Sequence, residues 1–498
     1  MTAVQSEFVQ RAGSICVHGV GLSVDVYSPD LLLVDELLNR RGIPVDYYEV
    51  FQAALPALTA VRERLAGRCL AYHGEGLWIS QPEFSARIEN GSSISDVCGQ
   101  LGALKSQWLN IECATKQVAG VSFGTYLPPL YTAEGAVVAG DNAAALQRTI
   151  DCAFGFGTSR PPLVLLEMPP LTYFACGSLS IPSFFQEIVG RASCGLVLDI
   201  GHLWTVYRYT GAWRFQSVER FLAAFLDSFP LERVIEIHVA GLAPHPAETE
   251  EHAPDYDCGS SLPRWIDAHG QPIPALLFDM LDQVLSHPRL SALKGLALEV
   301  DTKEPALILS EFETFHRRFG GFFPSRRREA QTNRDRSVPA ACGDMPIEAH
   351  PERGATREML ARDYDLYARV VTGRAECSRL SGLVGKISDE EGLARYQGMY
   401  LPHEILHWGG DLQDMFPRTC RMAGEHAVDI RDFVAFWFKR TRVPAAAYDF
   451  FLLKIEYFVE FIASVLPDAS AEAAREAEEL RAAYESVNQR AGCEETAT

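Results

Sequence analysis

Eight short apolar runs, spread through the first 320 residues, constrain this chain more than any other feature. They are Gly19–Val24, Val45–Val50, Cys69–Glu75, Trp108–Cys113, Leu163–Glu167, Gly195–Asp199, Val234–Val239 and Gly295–Val300. Each is about five to seven residues long and rich in Val, Leu, Ile or aromatics, as expected of strands buried on both faces. Helical patterns separate several of them, including Asp30–Arg40, Ala54–Leu65, Asn142–Phe154 and Phe215–Asp227. Alternation repeated about eight times predicts an α/β fold, a closed TIM (β/α)8-type barrel over residues 15–322. An open doubly wound sheet fits less well, because no GxGxxG follows the first run to bind a dinucleotide.

The chain has 498 residues, too many for one ordinary core, and its character changes after the last run. Residues 323–354 are poor in large apolar side chains and rich in charge, proline and glycine, so they read as a flexible linker. Residues 355–492 read as a smaller all-α domain. Thr356–Val371, Phe433–Lys439, Tyr448–Val465 and Ala469–Gln489 carry the helical pattern, and Ser388-Asp389-Glu390-Glu391 resembles a capping box. A formal net charge of -20 would repel a nucleic-acid backbone, so no nucleic-acid partner is expected. The N-terminus lacks a basic stretch followed by an apolar core, and no apolar run approaches the roughly 20 residues of a membrane span. Twelve cysteines without a CxxC pair read as reduced thiols. The expectation is a cytoplasmic protein with no membrane segment.

Chemistry enters where the apolar runs end. The second run ends at Glu49, the third carries His73, and the fourth ends in Glu112-Cys113. The fifth ends at Glu167, and the sixth at Asp199 with His202 three residues on. The seventh ends near His238 and the eighth in Glu299-Val300-Asp301. A later loop adds the pair Asp267 and His269. In a parallel barrel all these positions converge on one face. Burying so many carboxylates together without a cation would cost several kcal/mol per charge, whereas their oxygens and the imidazole nitrogens suit a divalent metal. Mixed His/Asp/Glu ligation favours iron, manganese or zinc, and the absence of paired thiolates argues against a structural zinc site. Taken singly, His238 would read as a core histidine and Glu49 or Glu112 as a rim salt-bridge partner. Recurrence at seven consecutive strand ends makes the metal reading the stronger one.

Ordered motifs add a resemblance. Gly19-Val20-Gly21-Leu22, His73-Gly74-Glu75-Gly76-Leu77, Leu127-Pro128-Pro129-Leu130-Tyr131-Thr132, Leu198-Asp199-Ile200-Gly201-His202-Leu203, Glu236-Ile237-His238-Val239-Ala240-Gly241, Asp267-Ala268-His269-Gly270-Gln271-Pro272 and Glu299-Val300-Asp301 occur in that order. Together they resemble the multinuclear non-heme iron-dependent oxidative enzymes. This family of xylose-isomerase-like barrels includes the methanobactin-biosynthesis oxidase. The resemblance implies two or three irons, with dioxygen as oxidant and a ribosomally made precursor peptide as substrate, often modified at cysteine. Carried over by position, the implied ligands are His73, Glu112, Glu167, Asp199, His202, His238, Asp267, His269 and Glu299, with Glu49, Cys113 and Asp301 as possible additions. The chain departs from the family at Cys113, where a histidine is usual, at Met168, where an asparagine is common, and at Leu242, where a histidine is frequent. A single-metal sugar isomerase or epimerase, using manganese or zinc, and a non-catalytic barrel scaffold are the alternative readings.

His403-Glu404-Ile405-Leu406-His407 forms an HExxH pattern in the helical part, which would place His403 and His407 on one helix face as a second metal site. Pro402 directly before it and Gly409-Gly410 just after keep any helix short, so chance occurrence is the favoured reading. A helical domain fused to a peptide-modifying barrel suggests a recognition partner for the peptide.

Overall fold

The structure is a computed structural model and describes residues 2–84, 92–155, 161–249, 262–323, 351–441 and 449–493. All eight runs form strands: β1 (Gly19–Val24), β2 (Tyr47–Phe51), β3 (Cys69–Gly74), β4 (Trp108–Glu112), β5 (Leu163–Glu167), β6 (Gly195–Asp199), β7 (Val234–Val239) and β8 (Gly295–Glu299). They close in sequence order, every neighbouring pair parallel, with β1 bonded to both β2 and β8. The helix expected from Asn142 starts earlier, at Ala133, capped by Thr132, whose hydroxyl accepts the Gly135 N–H at 3.0 Å. Its first turns are buried at Ala136, Val138, Ala139 and Ala143, so they show no polar stripe to reveal the period.

The barrel interior has two layers. At the N-terminal end Tyr47, Ala71, Trp108, Leu163, Leu165, Val197, Ile235 and Ala297 form an apolar plug, closed from below by Phe8 and Ala12 of the helix Ala3–Ser14. Gly195 makes room for it, since a Cβ there would meet Leu165 Cδ2 at 2.6 Å and Ile235 Cγ1 at 2.7 Å. Above the plug the interior turns polar.

Three excursions cover the C-terminal face: an antiparallel hairpin, Thr115–Val118 with Val121–Leu127, after β4; the Cys176-Gly177 segment after β5; and Leu242–Pro244 paired with Trp265–Asp267 after β7. The C-terminal helices Pro351–Val371, Leu401–His407 and Phe450–Val465 pack on the hairpin after β4, and Ser470–Cys493 packs on Phe450–Val465 and on the barrel helix Leu55–Arg64. Lys386-Ile387 pairs with Cys176-Gly177, and Trp437 Nε1 donates to the Ser122 carbonyl at 2.7 Å. Phe450 sits on Gly124 so closely that a Cβ there would lie 2.6 Å from its ring. One apolar core runs without a break from the barrel's helical layer into these helices.

The expected capping box is not formed. Asp389 caps the helix Glu390–Arg395 by accepting the Gly392 N–H at 3.1 Å. Ser388 is drawn to the barrel instead, where its hydroxyl accepts from Ala175 N at 2.8 Å and donates to the Tyr209 carbonyl at 2.7 Å. Most of the expected linker, residues 324–350, lies outside the described residues. No described helix is long and apolar enough to cross a membrane.

Candidate metal centre

Strand pleating sets the site's height. Successive inward side chains are two residues apart, so on five strands one step up passes from the plug to a ligand candidate. Tyr47 is followed by Glu49, Ala71 by His73, Leu165 by Glu167, Val197 by Asp199 and Ala297 by Glu299. Strand β7 breaks the rule: its plug residue Ile235 has odd parity, while Glu236 and His238 have even. The register against β6 shifts between Val234 and Glu236, and that irregularity turns both later side chains inward.

Two clusters result. In the first, Glu167, Asp199, His238 and Glu299 each offer a donor atom, all within 4.8 Å of one another. His238 Nδ1 lies 3.2 Å from Glu299 Oε2 and 3.4 Å from Glu167 Oε1, and its Nε2 lies 3.0 Å from Glu49 Oε2. In the second, His202, Asp267 and His269 converge in the same way. Asp267 Oδ2 lies 2.9 Å from His269 Nε2 and 3.5 Å from His202 Nε2. Glu167 adjoins both, being 3.7 Å from His202 Nδ1 and 3.3 Å from His73 Nε2.

The imidazoles are oriented from behind. The Met168 carbonyl can only accept, so His202 Nδ1, 2.7 Å away, carries a proton and leaves Nε2 with its lone pair. Asp301 does the same for His269 through a short hydrogen bond to Nδ1. This is how proteins hold a histidine for a metal. Asn110 Nδ2 donates to Glu167 Oε2 at 2.7 Å, and Ser23 Oγ to Glu49 Oε2 at 2.8 Å.

The cluster is electrostatically incomplete. Buried atoms including Glu112 Oε1, Glu167 Oε1, Asp199 Oδ2, His202 Nε2, Asp267 Oδ1, His269 Nε2 and Glu299 Oε2 have no hydrogen-bond partner. Native proteins leave few such atoms. Burial pushes the Glu112 carboxyl up to about 8 and Asp199 up to about 6, the latter against the pull of His202. His73 is pushed up to about 9, because Glu167 and Glu49 outweigh the burial that disfavours its charge. Burial also opposes ionisation of Glu167, yet His238 and its neighbours hold that carboxyl well below its usual range. Carboxylates outnumber imidazoles here, so positive charge is required, as protons or as metal.

Not every expected residue joins the two clusters. Glu112 faces the centre and feels His202, Glu167 and Asp267. Cys113, one residue on, lies on the other side of the strand in the apolar core near Cys194, and burial pushes its thiol well up. His407 bonds Asp411 Oδ2 at 2.5 Å on the surface. His403 turns to Glu404 and to His245 of the barrel, ring centroids 4.6 Å apart. Two buried residues were missed. Glu236 accepts from Tyr47 OH at 2.6 Å and joins Glu49 and His238, and Asn110 supports Glu167. Each stands two residues before a ligand candidate on the same strand, and that spacing could have found both.

Residues 105–316 match the family model of the RiPP precursor modification enzyme MbnB/TglH/ChrH. The resemblance carried by the motifs is borne out. A UPF0276 protein of Caulobacter vibrioides (strain NA1000 / CB15N) is 26% identical over 220 residues, 44% of this chain and 64% of its own length. One from Paraburkholderia phytofirmans is 32% identical over 106 residues, 21% of this chain and 32% of its own. The chain thus spans less than two thirds of the length of either relative. Among solved structures, endonuclease IV from Thermus thermophilus is 16% identical with a TM-score of 0.36, covering 60% of this chain and 98% of that one. A D-allulose 3-epimerase from Methylomonas sp. is 12% identical with a TM-score of 0.35, covering 61% and 100%. Likenesses this weak say nothing about chemistry.

Proposed function

We propose that this protein is an iron-dependent oxidase that uses dioxygen to modify a side chain, cysteine by preference, of a ribosomally made precursor peptide. One observation carries the reading: two adjoining clusters of buried carboxylate oxygens and imidazole nitrogens at the barrel mouth, several without a hydrogen-bond partner, within the stretch matched by the peptide-modifying family. The ligand set is Glu167, Asp199, His238 and Glu299 for one ion and His202, Asp267 and His269 for a second. His73, beside Glu167, and Glu112, which feels both, are the candidates for a third, with Glu49 grouped instead with Glu236 and His238. Iron held there supplies Lewis acidity and one-electron redox chemistry.

The chain's own groups do the remaining work. Met168 and Asp301 hold His202 and His269 in the ligating tautomer, and Asn110 fixes Glu167. Glu112, raised to about 8, can hold or release a proton near neutrality beside the reacting side chain. The C-terminal helices, residues 355–492, act as a second domain that shares its apolar core with the barrel and serves as the recognition partner for the peptide. Their seating on the excursions that rim the barrel mouth supports this role. A cytoplasmic location suits a chain whose described cysteines are thiols.

Anaerobic reconstitution with Fe(II), followed by metal analysis and exposure to oxygen with a co-encoded Cys-containing peptide, tests the proposal. Two or three irons per chain and an oxygen-dependent mass change at the peptide cysteine are expected. A single manganese or zinc held at the barrel mouth, lost in Glu167→Ala, with no oxygen dependence would replace it with a sugar isomerase or epimerase, and no metal at the mouth would leave a scaffold. Hydrogen exchange reads the second half: the peptide's footprint should include the C-terminal helices.

A further inference from the structure

Two cysteines and a histidine meet at the opposite end of the barrel. Cys16 and His18 lead into β1, and Cys69 opens β3. Strand register brings them together, since Gly21 is level with Tyr47, and Tyr47 with Cys69. One donor atom of each lies within 4.8 Å of the others. Cys16 Sγ lies 3.9 Å from His18 Nδ1 and 3.2 Å from Gln107 Oε1. A tetrahedral zinc-class ion, with bonds of about 2.3 Å to sulfur and about 2.0–2.1 Å to nitrogen, sets its donors roughly 3.5–3.8 Å apart. The three side chains therefore need to close by about 1 Å at most.

Their setting suits an ion. His18 is only 2% exposed, its ring 4.1 Å from that of Trp108 and edge-on to Tyr47 at 5.3 Å. Its Nδ1 lies 3.0 Å from the Cys16 carbonyl as well as 3.9 Å from the Cys16 sulfur, so ligation through this nitrogen moves the ring proton to Nε2 and gives up the bond to the carbonyl. Cys16 and Cys69 are half-buried, which leaves an ion a way in. The Cys16 N–H is bound to Gln107 Oε1 at 2.9 Å, so the backbone beside the thiol is already fixed.

We propose that Cys16, His18 and Cys69 form a thiolate-rich binding site for a zinc-class divalent ion, separate from the carboxylate-rich centre at the barrel mouth. Binding converts two thiols to thiolates and releases two protons, with no change of oxidation state, and water fills the fourth position. The ion ties the segment leading into β1 to β3 and so holds the helix Ala3–Ser14 over the plug. Soft sulfur donors select zinc or a similar ion, while the carboxylates above prefer harder cations. The proposal does not depend on the oxidase reading.

Cobalt(II) is the probe. Added to the metal-stripped full-length protein under reducing, anaerobic conditions, it should give a near-ultraviolet thiolate charge-transfer band that carboxylates and imidazoles cannot produce. Among the described residues Cys113 is the other thiol close to ligand candidates, so the titration is run in the Cys113→Ala background. The band should saturate at the intensity of one thiolate-bound cobalt per chain, and Cys16→Ser with Cys69→Ser should abolish it. Each single substitution should weaken zinc binding at this site on the order of 100-fold, no less than the loss of an outer-shell partner causes. Alkylation mapping needs no variant: zinc should protect Cys16 and Cys69 in the wild-type protein while exposed Cys152 reacts unchanged. A band that survives in the double variant would overturn the site. So would alkylation that zinc does not slow, or a Cys16–Cys69 disulfide in the purified protein.

Discussion

The two ends of this barrel are built from the same eight strands and differ in almost everything else. At the lower end, aromatic and aliphatic side chains fill the interior and a helix closes it. At the upper end, two residues along on five of the strands, the inward positions carry carboxylates and imidazoles, and many of the atoms there have no hydrogen-bond partner. Stability and chemistry are thus stacked, with the plug fixing the strand positions from which the ligands project. A barrel can hold such uncompensated charge because the layer beneath it is dry and fully packed.

Breaking the upper layer should have the largest effect. Glu167→Ala removes the carboxylate shared by both clusters, so metal loading and peptide oxidation should fall at least ~100-fold, measured by metal analysis and product mass. The fold should survive, by circular dichroism. Trp108→Ala strikes the lower layer and should cost about 3–5 kcal/mol of stability in denaturant titration, while folded molecules keep their metal. If instead the metal is lost and stability kept, the division between the layers is wrong.

A third prediction separates the layers by pH. Glu112 is raised to about 8 from an ordinary 4.5, so the folded, metal-free protein holds this proton more tightly than the unfolded chain. Stability therefore falls as pH rises between those values. His73, raised to about 9, contributes stability that is complete below about 6.5 and lost as pH climbs through 9. Both act in the same direction, and the Tm of metal-free protein should drop by several degrees between pH 6 and 9. Metal-loaded protein should show a much flatter profile, because the cation stands in for those protons. An equal slope in both forms would mean the upper layer is not a metal site. The smallest effect is expected from Asp301→Asn, which keeps a partner for His269 but removes its charge. Metal affinity should weaken by roughly 10-fold, read by competition with a chelator.

Much of the upper layer was legible because an apolar run that ends in an ionisable residue is a conspicuous pattern, and seven in order are more so. Glu167, Asp199 and Glu299 needed nothing else. Glu236 was hidden because an irregularity in β7 reverses the side-chain parity just before it, and no propensity marks that point. The hairpin after β4 was invisible for a related reason. Its turn places Ala119 at φ 49° and Gly120 at φ 75°, and alanine is a poor signal for a left-handed turn position. Ser388 reads as a helix cap from its neighbours, but tertiary bonds to Ala175 and Tyr209 outbid the local one. The thiol cluster could not be read at all. Cys16 and Cys69 are far apart in sequence, and only the register of three strands makes them neighbours.

The contact between Phe450 and Gly124 has an evolutionary consequence. A ring 2.6 Å from where a Cβ would stand, at a position held at φ 71°, means that any side chain at that hairpin position would have to displace the aromatic and strain the backbone. Among related barrels, glycine here and a large aromatic at the start of the late helix should be inherited or lost together. This pair of positions then serves as a written record of which barrels evolved to carry a helical cap.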